Sequence, residues 1–545
     1  MPARLPNLRW MLLALFLVLT WGAYIRLADL GRNTLSSDEM DHYFVGQALE
    51  QNRGPVLPSG ARYPRGLEYS MLVAALLPRV NPPEVAVRLP AAVIGVLALL
   101  AFAAVAWAMG GPGAGVLATL LFTIYPQAVK LSRFGRFYTL QLFAGVIALY
   151  AGWRLIRDPL EPGDLTARRL RRDWGWALLA GVAFLYATRV QVTTLSVAAG
   201  FGLFLVGVGV RDLARLGKRA WTYSVAWQLT ALGGAVMIFL FVFRFGLLEG
   251  LFWRARVIPL WARLSADGGA GPITAYYRAL SSHFPLLVSL LPLIFLVAIV
   301  RHPRTGALLL VWFVVPLVLH SFVFGWKSER YVLLAIPALL IAAGIAGDAA
   351  IEALGKYGAR LAERYPRLRA GAVLPGLLTS IVVTAIVTQP AFNESRRMVG
   401  ETHSAGWLES RRIIAADSTL RDLPLGSASP LVALHYWGRL DFTVQPALLE
   451  TWTRDTTSHD INRPNVVNPV GSLDLYAGRP LLTTPASLRE KFSQIGEVLI
   501  GIDRVFIDYH NIDPELVRVL EAEADELCRG RCGSMLLYRW RFRRG

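Results

Sequence analysis

The sequence predicts a polytopic α-helical membrane protein that ends in a soluble α/β domain, on three observations. The 545 residues are 54% hydrophobic and only 17% charged, with a mean hydropathy of +0.44. Ordinary soluble chains carry about 25% charge. About eleven stretches are apolar over the roughly 20 residues that a bilayer span needs. They lie near 9–28, 88–109, 113–129, 138–156, 174–190, 191–210, 222–243, 283–300, 306–324, 331–348 and 371–390. Beyond residue 390 the apolar runs shorten, and acidic and basic residues nearly balance.

Each span must be a helix, because an open strand leaves its backbone groups unsatisfied in lipid. The stretch 174–210 reads as two spans or as one re-entrant unit. The first span, from Trp10 to Leu30, is long and has no small-residue cleavage site after it, so it reads as an anchor rather than a cleaved signal. Lys and Arg set the orientation. With the N-terminus in the cytoplasm, the loops Arg154 to Arg172, Arg211 to Arg219, Arg301 to Arg304 and Lys356 to Arg369 are cytoplasmic, and all are basic. Much of the +18 net charge is therefore topological, and no basic–aromatic stripe points to nucleic acid. This reading places the chain in the inner (plasma) membrane. Residues 1–390 form the membrane domain, with a first outer loop at 31–87, and residues 391–545 form a periplasmic or other extracytoplasmic domain.

In that last domain, Leu431 to Leu434 and Val505 to Ile507 read as strands. Pro514 to Leu527 reads as a helix capped by Asp513. Cys528 and Cys532 are the only cysteines. An oxidising compartment favours a local disulfide between them, and free thiols are the alternative; two cysteines alone supply too few ligands for a metal site.

Chemistry is expected where polar residues gather on the outer side. Directly after the first span comes Ser36-Ser37-Asp38-Glu39-Met40-Asp41-His42-Tyr43. Ser36 or Ser37 can cap a helix running to about Glu50, and acidic residues in a first turn suit the helix dipole. The motif therefore has a purely structural reading. It equally fits a carboxylate held at the membrane surface as a general base or metal ligand. On one helix Asp38 and Asp41 share a face, while Glu39 points elsewhere.

Cations also sit in outer loops where the positive-inside bias should exclude them. They are Arg62 and Arg65; Lys130, Arg133 and Arg136; Arg254, Arg256 and Arg263; and Lys327 and Arg330. Any one of them could snorkel to lipid phosphate. Four such loops opposite one acidic loop fit a site for an anionic headgroup, since arginine is a natural bidentate partner of phosphate.

These motifs, in this order, resemble the GT-C superfamily of membrane glycosyltransferases. The branch is the family-39-like one, with the protein O-mannosyltransferases and the lipid A aminoarabinose transferases. The features are Asp38-Glu39 and His42-Tyr43 after the first span, Arg65-Gly66, and Arg88-Leu89-Pro90 at the second span. They continue with Ser132-Arg133, Arg136-Phe137-Tyr138, Lys327, Arg330-Tyr331 and Pro337. The outer domain adds His435-Tyr436-Trp437-Gly438-Arg439, Asp441, and Asp474-Leu475-Tyr476-Ala477-Gly478-Arg479-Pro480.

The resemblance implies a GT-C fold and transfer of a monosaccharide from a polyprenyl-phosphate donor. The acceptor would be a lipid, glycan or protein at the outer face, and the anomeric carbon would invert. It implies Asp38 as the base with Glu39 as its helper. Lys327, Arg330 and Tyr331 would bind the donor phosphate, followed by Arg133, Arg136 and Tyr138. Arg65, His42, Tyr43, Arg254 and Arg256 would contact substrates.

No cofactor is required in this reading. The oligosaccharyltransferases of the superfamily carry Asp-x-Asp and a divalent metal, whereas this chain has Asp38-Glu39-Met40-Asp41. Adjacent carboxylates resemble the metal-independent pattern, and Mg²⁺ or Mn²⁺ on Asp38 and Asp41 is the alternative. Two rival functions are an O-antigen-type ligase or polymerase with a diphosphate-linked donor, and a transporter of lipid-linked sugar. A ligase usually carries its catalytic residues in a large later loop. A transporter tends to have midplane charges and repeats, which these spans lack.

Overall fold

The computed structural model describes residues 8–243, 274–323, 327–364, 377, 380–381, 383–400, 406–444, 473–474, 476–508 and 512–542. Arg254, Arg256 and Arg263 lie outside the described residues. The chain forms two compact units. One comprises Met1–Ala28, Ala91–Arg133 and Phe137–Gly400; the other comprises Asp29–Pro90, Phe134–Arg136 and Glu401–Gly545.

The first unit is helical. Among the described residues, six helices of the chain are long and apolar enough to cross a membrane: Leu8–Leu27 (α1), Pro83–Gly110, Tyr138–Ile156, Thr194–Tyr223, Pro303–Phe322 and Ile336–Arg360. A seventh crossing results if Pro112–Thr123 and Pro126–Ser132, bent by 62°, make one span. Other expected spans fall short for local reasons. The helix Ala167–Val190 opens on Arg168, Arg169, Arg171, Arg172 and Asp173, which dilute its apolar stretch. The apolar helix Val225–Phe243 runs 19 residues, Leu291–Arg301 is apolar but short, and most of 371–380 lies outside the described residues. Large apolar side chains face outward, including Trp10, Phe16, Leu178, Leu185, Leu203 and Val300. Such exposure suits helices whose solvent is hydrocarbon. The protein is a multi-pass membrane protein.

The second unit holds a five-stranded sheet. Its strands are Leu425–Ser427 (β1), Phe442–Thr443 (β2), Glu497–Asp503 (β3), Ala524–Glu526 (β4) and Met535–Arg541 (β5), in the order β2-β1-β3-β5-β4. β1 runs parallel to β2 and β3, while β5 is antiparallel to β3 and β4. Val498, Ile500, Ile502, Leu516, Leu520 and Trp540 make the core on one side. Two strand expectations are corrected. Leu431 to Leu434 lies in the helix Pro430–Trp437. A short apolar run fits either state by periodicity, and here its ends decide: Pro430 opens the helix and Gly438, at φ 77°, closes it in the left-handed region. Val505 to Ile507 lies in the short helix Arg504–Asp508, and the strand is the preceding β3. The helix capped by Asp513 ends at Glu523, where the chain turns into β4; the Asp513 carboxylate accepts from the Glu515 amide at 2.8 Å. A disulfide joins Cys528 and Cys532.

Candidate functional site

The acidic motif forms the start of a helix, Ser37–Glu50 (α2), with Ser36 as its N-cap. Glu39 points to one side and is fully buried. Its Oε1 accepts from Arg88 Nε at 2.7 Å and from the Gly135 amide at 2.8 Å. Its Oε2 accepts from Arg88 Nη2 at 2.9 Å, the Ser36 amide at 2.9 Å and Ser36 Oγ at 3.1 Å. Gly135 is required for this approach, because a Cβ there would meet the Val87 side chain at 2.4 Å. Arg88 completes its donor set on the carbonyls of Leu30, Asn33 and Thr34, at 2.7–2.9 Å. Burial alone would raise the Glu39 pKa, but Arg88 and the two amides overrule it and hold the carboxyl below its ordinary value.

Asp38 and Asp41 share the other face, as the helical spacing requires, and both meet Arg136. Arg136 Nη1 lies 2.6 Å from Asp38 Oδ2, and Nη2 lies 3.5 Å from Asp41 Oδ2. Nη2 also donates to the Tyr63 hydroxyl at 2.9 Å, and Tyr63 in turn hydrogen-bonds Asp41. The two carboxylates differ in access: the Asp38 side chain is 42% exposed and that of Asp41 only 8%. Burial raises the Asp41 pKa to about 7, with Arg136 opposing and the charge of Asp38 reinforcing the shift. Arg65 lies near enough to lower both Asp41 and His42. His42 is buried, with Nδ1 at 2.8 Å from Ser70 Oγ and its ring against the edges of Tyr63 and Tyr69. Burial, then Arg136 and Arg65, push it well below the usual imidazole range, so it stays neutral. Tyr43 accepts from Gln47 Nε2 at 2.7 Å and packs edge-on against His435.

A bridging Mg²⁺ or Mn²⁺ would sit where Arg136 spans the two aspartates, and a divalent ion needs about six oxygen ligands. The residues present fit a guanidinium rather than an ion there. Among the described residues, no three His, Cys, Asp or Glu side chains are grouped to hold a metal.

The expected phosphate-binding residues divide three ways. In the helical unit, the Arg330 guanidinium lies 5.6 Å from the ring centres of both Tyr138 and Tyr331, so these three converge. Lys327, in the same segment, donates to the carbonyls of His320 and Ser321 at 2.6 and 2.8 Å. Arg133 caps α1 through the carbonyls of Ile25 and Ala28, at 3.0 and 2.5 Å. Arg136 belongs to the acidic cluster. Sequence reasoning missed Arg88 and Tyr63 as members of that cluster. Arg88 carried a signal, as a lone cation at the mouth of a span; Tyr63 carried none beyond its neighbours Arg62 and Arg65.

No family model matches the sequence, and no curated protein matches it. Solved structures do. ArnT from Cupriavidus metallidurans, bound to undecaprenyl phosphate, aligns with a TM-score of 0.57 over 98% of each chain at 14% identity. The archaeal oligosaccharyltransferase AglB from Archaeoglobus fulgidus, in complex with an inhibitory peptide and a dolichol-phosphate, aligns with a TM-score of 0.56. That match covers 91% of this chain and 70% of AglB at 12% identity. At such identities the likeness is one of fold alone: the chain shares its overall fold with these two proteins.

Proposed function

We propose that the protein is a glycosyltransferase that moves a monosaccharide from a polyprenyl-phosphate donor to a lipid, glycan or protein acceptor at the outer face of the membrane. The observation that carries this reading is Asp38, half-exposed and held by Arg136 on a helix that Glu39 and Arg88 pin in place. Asp38 takes the acceptor proton as the glycosidic bond breaks, and attack from the opposite face inverts the anomeric carbon. Glu39 fixes the height and rotation of α2. Arg330, with Tyr138 and Tyr331, meets the charge that develops on the leaving phosphate. Arg65, His42, Tyr43, Arg254 and Arg256 complete the substrate contacts, and no step needs a metal. The fold shared with proteins solved with undecaprenyl phosphate and dolichol-phosphate supports a lipid-linked donor.

In this reading eleven spans cross the inner membrane, the N-terminus is cytoplasmic, and the α/β domain from about 391 lies outside. A reporter active only in the cytoplasm, fused at Gly545, is expected to be silent. The function is tested by mass spectrometry of envelope glycans and glycolipids after deletion of the protein. One sugar should disappear and return with the wild-type chain but not with Asp38→Asn. An unchanged profile overturns the proposal.

A further inference from the structure

His283, at the end of the helix Ala275–His283, sits between two carboxylates outside the acidic cluster. Its Nε2 lies 3.1 Å from Glu329 Oε2 and its Nδ1 lies 2.9 Å from Glu394 Oε2. The His283 side chain is only 10% exposed. A neutral imidazole has one N–H, and an ionised carboxylate can only accept. Nε2 makes the hydrogen bond to Glu329, the Nδ1–Glu394 contact is an ion pair by distance, and two carboxylates on opposite ring nitrogens together favour the imidazolium.

The bridge ties three separate parts of the helical unit together. Glu329 belongs to the segment of Lys327 and Arg330, and Glu394 belongs to the helix Pro390–Gly400. The same helix that ends at His283 holds that segment at a second point, where the Ser328 amide donates to the Tyr276 hydroxyl at 3.3 Å. The far end of the bridge is anchored as well, since Ser395 donates to the Ile124 carbonyl at 2.7 Å. Glu329 is thus an acid placed two residues from Lys327 and next to Arg330, and held on a third cation.

We propose that the Glu394–His283–Glu329 bridge is a positioning device for donor binding, which keeps the Glu329 carboxylate off Arg330. It rests on the reading that Arg330 faces the donor phosphate. If His283 loses its charge, Glu329 is released and can pair with Arg330, in competition with a phosphate. His283 touches no substrate in this scheme; it acts through Glu329.

The test is binding of undecaprenyl phosphate to the full-length protein in nanodiscs, read by native mass spectrometry, with the unfolding temperature as a second readout. His283→Gln should weaken binding roughly 10- to 100-fold, the scale of one charge-assisted contact. The double variant His283→Gln/Glu329→Gln should recover most of that loss, because the released side chain no longer carries charge. A purely structural role predicts the reverse, since the second substitution removes another bridge partner and lowers the unfolding temperature further. Equal binding by wild type and His283→Gln, or a double variant no better than the single, overturns the bridge. A wild-type protein that binds no undecaprenyl phosphate overturns the donor reading and this proposal with it.

Discussion

The start of α2 and the segment Lys327–Tyr331 look alike as sequences, since each gathers several charges beside the mouth of a span. Their side chains divide in the same way. In α2, Glu39 is buried and saturated by five donors from Arg88, Gly135 and Ser36, while Asp38 stays half-exposed on Arg136. In the second segment, Lys327 caps the carbonyls of His320 and Ser321, while Arg330 lies over two tyrosine rings. In each region one charge is saturated by backbone or buried partners and another is the one proposed for chemistry. Charge density marks the neighbourhood; burial and the saturation of partners assign the role.

The sharpest way to break this division is within α2. Asp38→Asn keeps shape and most hydrogen bonding but removes basicity, so turnover should fall by about 10²–10⁴-fold while the protein still folds. Full transferase activity in that variant would reduce the whole motif to a helix start. Arg88→Ala addresses the other half of the pair. It leaves Glu39 buried without its counter-charge and three carbonyls without a donor, so stability should fall by about 3–5 kcal/mol. The check is thermal unfolding in detergent, and an unchanged unfolding temperature would show that the buried pair holds nothing.

The second region gives a smaller contrast. Arg330→Ala should weaken donor binding by about 1.5–3 kcal/mol through one lost charge-assisted contact. Lys327→Ala should act mainly on stability, by loosening the carbonyls it caps. If titration with a polyprenyl phosphate shows the larger loss for Lys327→Ala, the two roles are exchanged.

How far these divisions could be read in advance depended on the physics of each feature. The split of Asp38 and Asp41 from Glu39 follows from the 3.6-residue period of a helix and was legible. So were the cap at Ser36, the cap at Asp513 and the membrane class, because each depends on residues near in sequence. The saturation of Glu39 was not legible, because its partners come from residue 88 and residue 135, brought together only by the fold. The same is true of the contacts of Arg133 to carbonyls more than 100 residues earlier in the chain. The run Leu431 to Leu434 failed for the opposite reason: four apolar residues hold too little periodicity to separate strand from helix, and the deciding signals were Pro430 and Gly438 at its ends.

The last expected effect concerns Asp41, which shares Arg136 with Asp38 but is buried where Asp38 is not. Burial lifts the folded pKa of Asp41 to about 7, against about 4 for an unfolded aspartate. Between those values the folded protein binds the extra proton. The contribution of Asp41 to stability is therefore fully present below about pH 4 and is lost as pH rises through 7. Asparagine cannot ionise, so Asp41→Asn removes this dependence. The unfolding temperature of the variant, relative to wild type, should rise from pH 4 to pH 7 and then level off. A shift of about three pKa units sets the scale of the change at about 4 kcal/mol at most. Parallel curves for the two proteins would mean that Asp41 ionises as freely as an exposed aspartate, and the contrast between the two carboxylates on Arg136 would then rest on access to solvent alone.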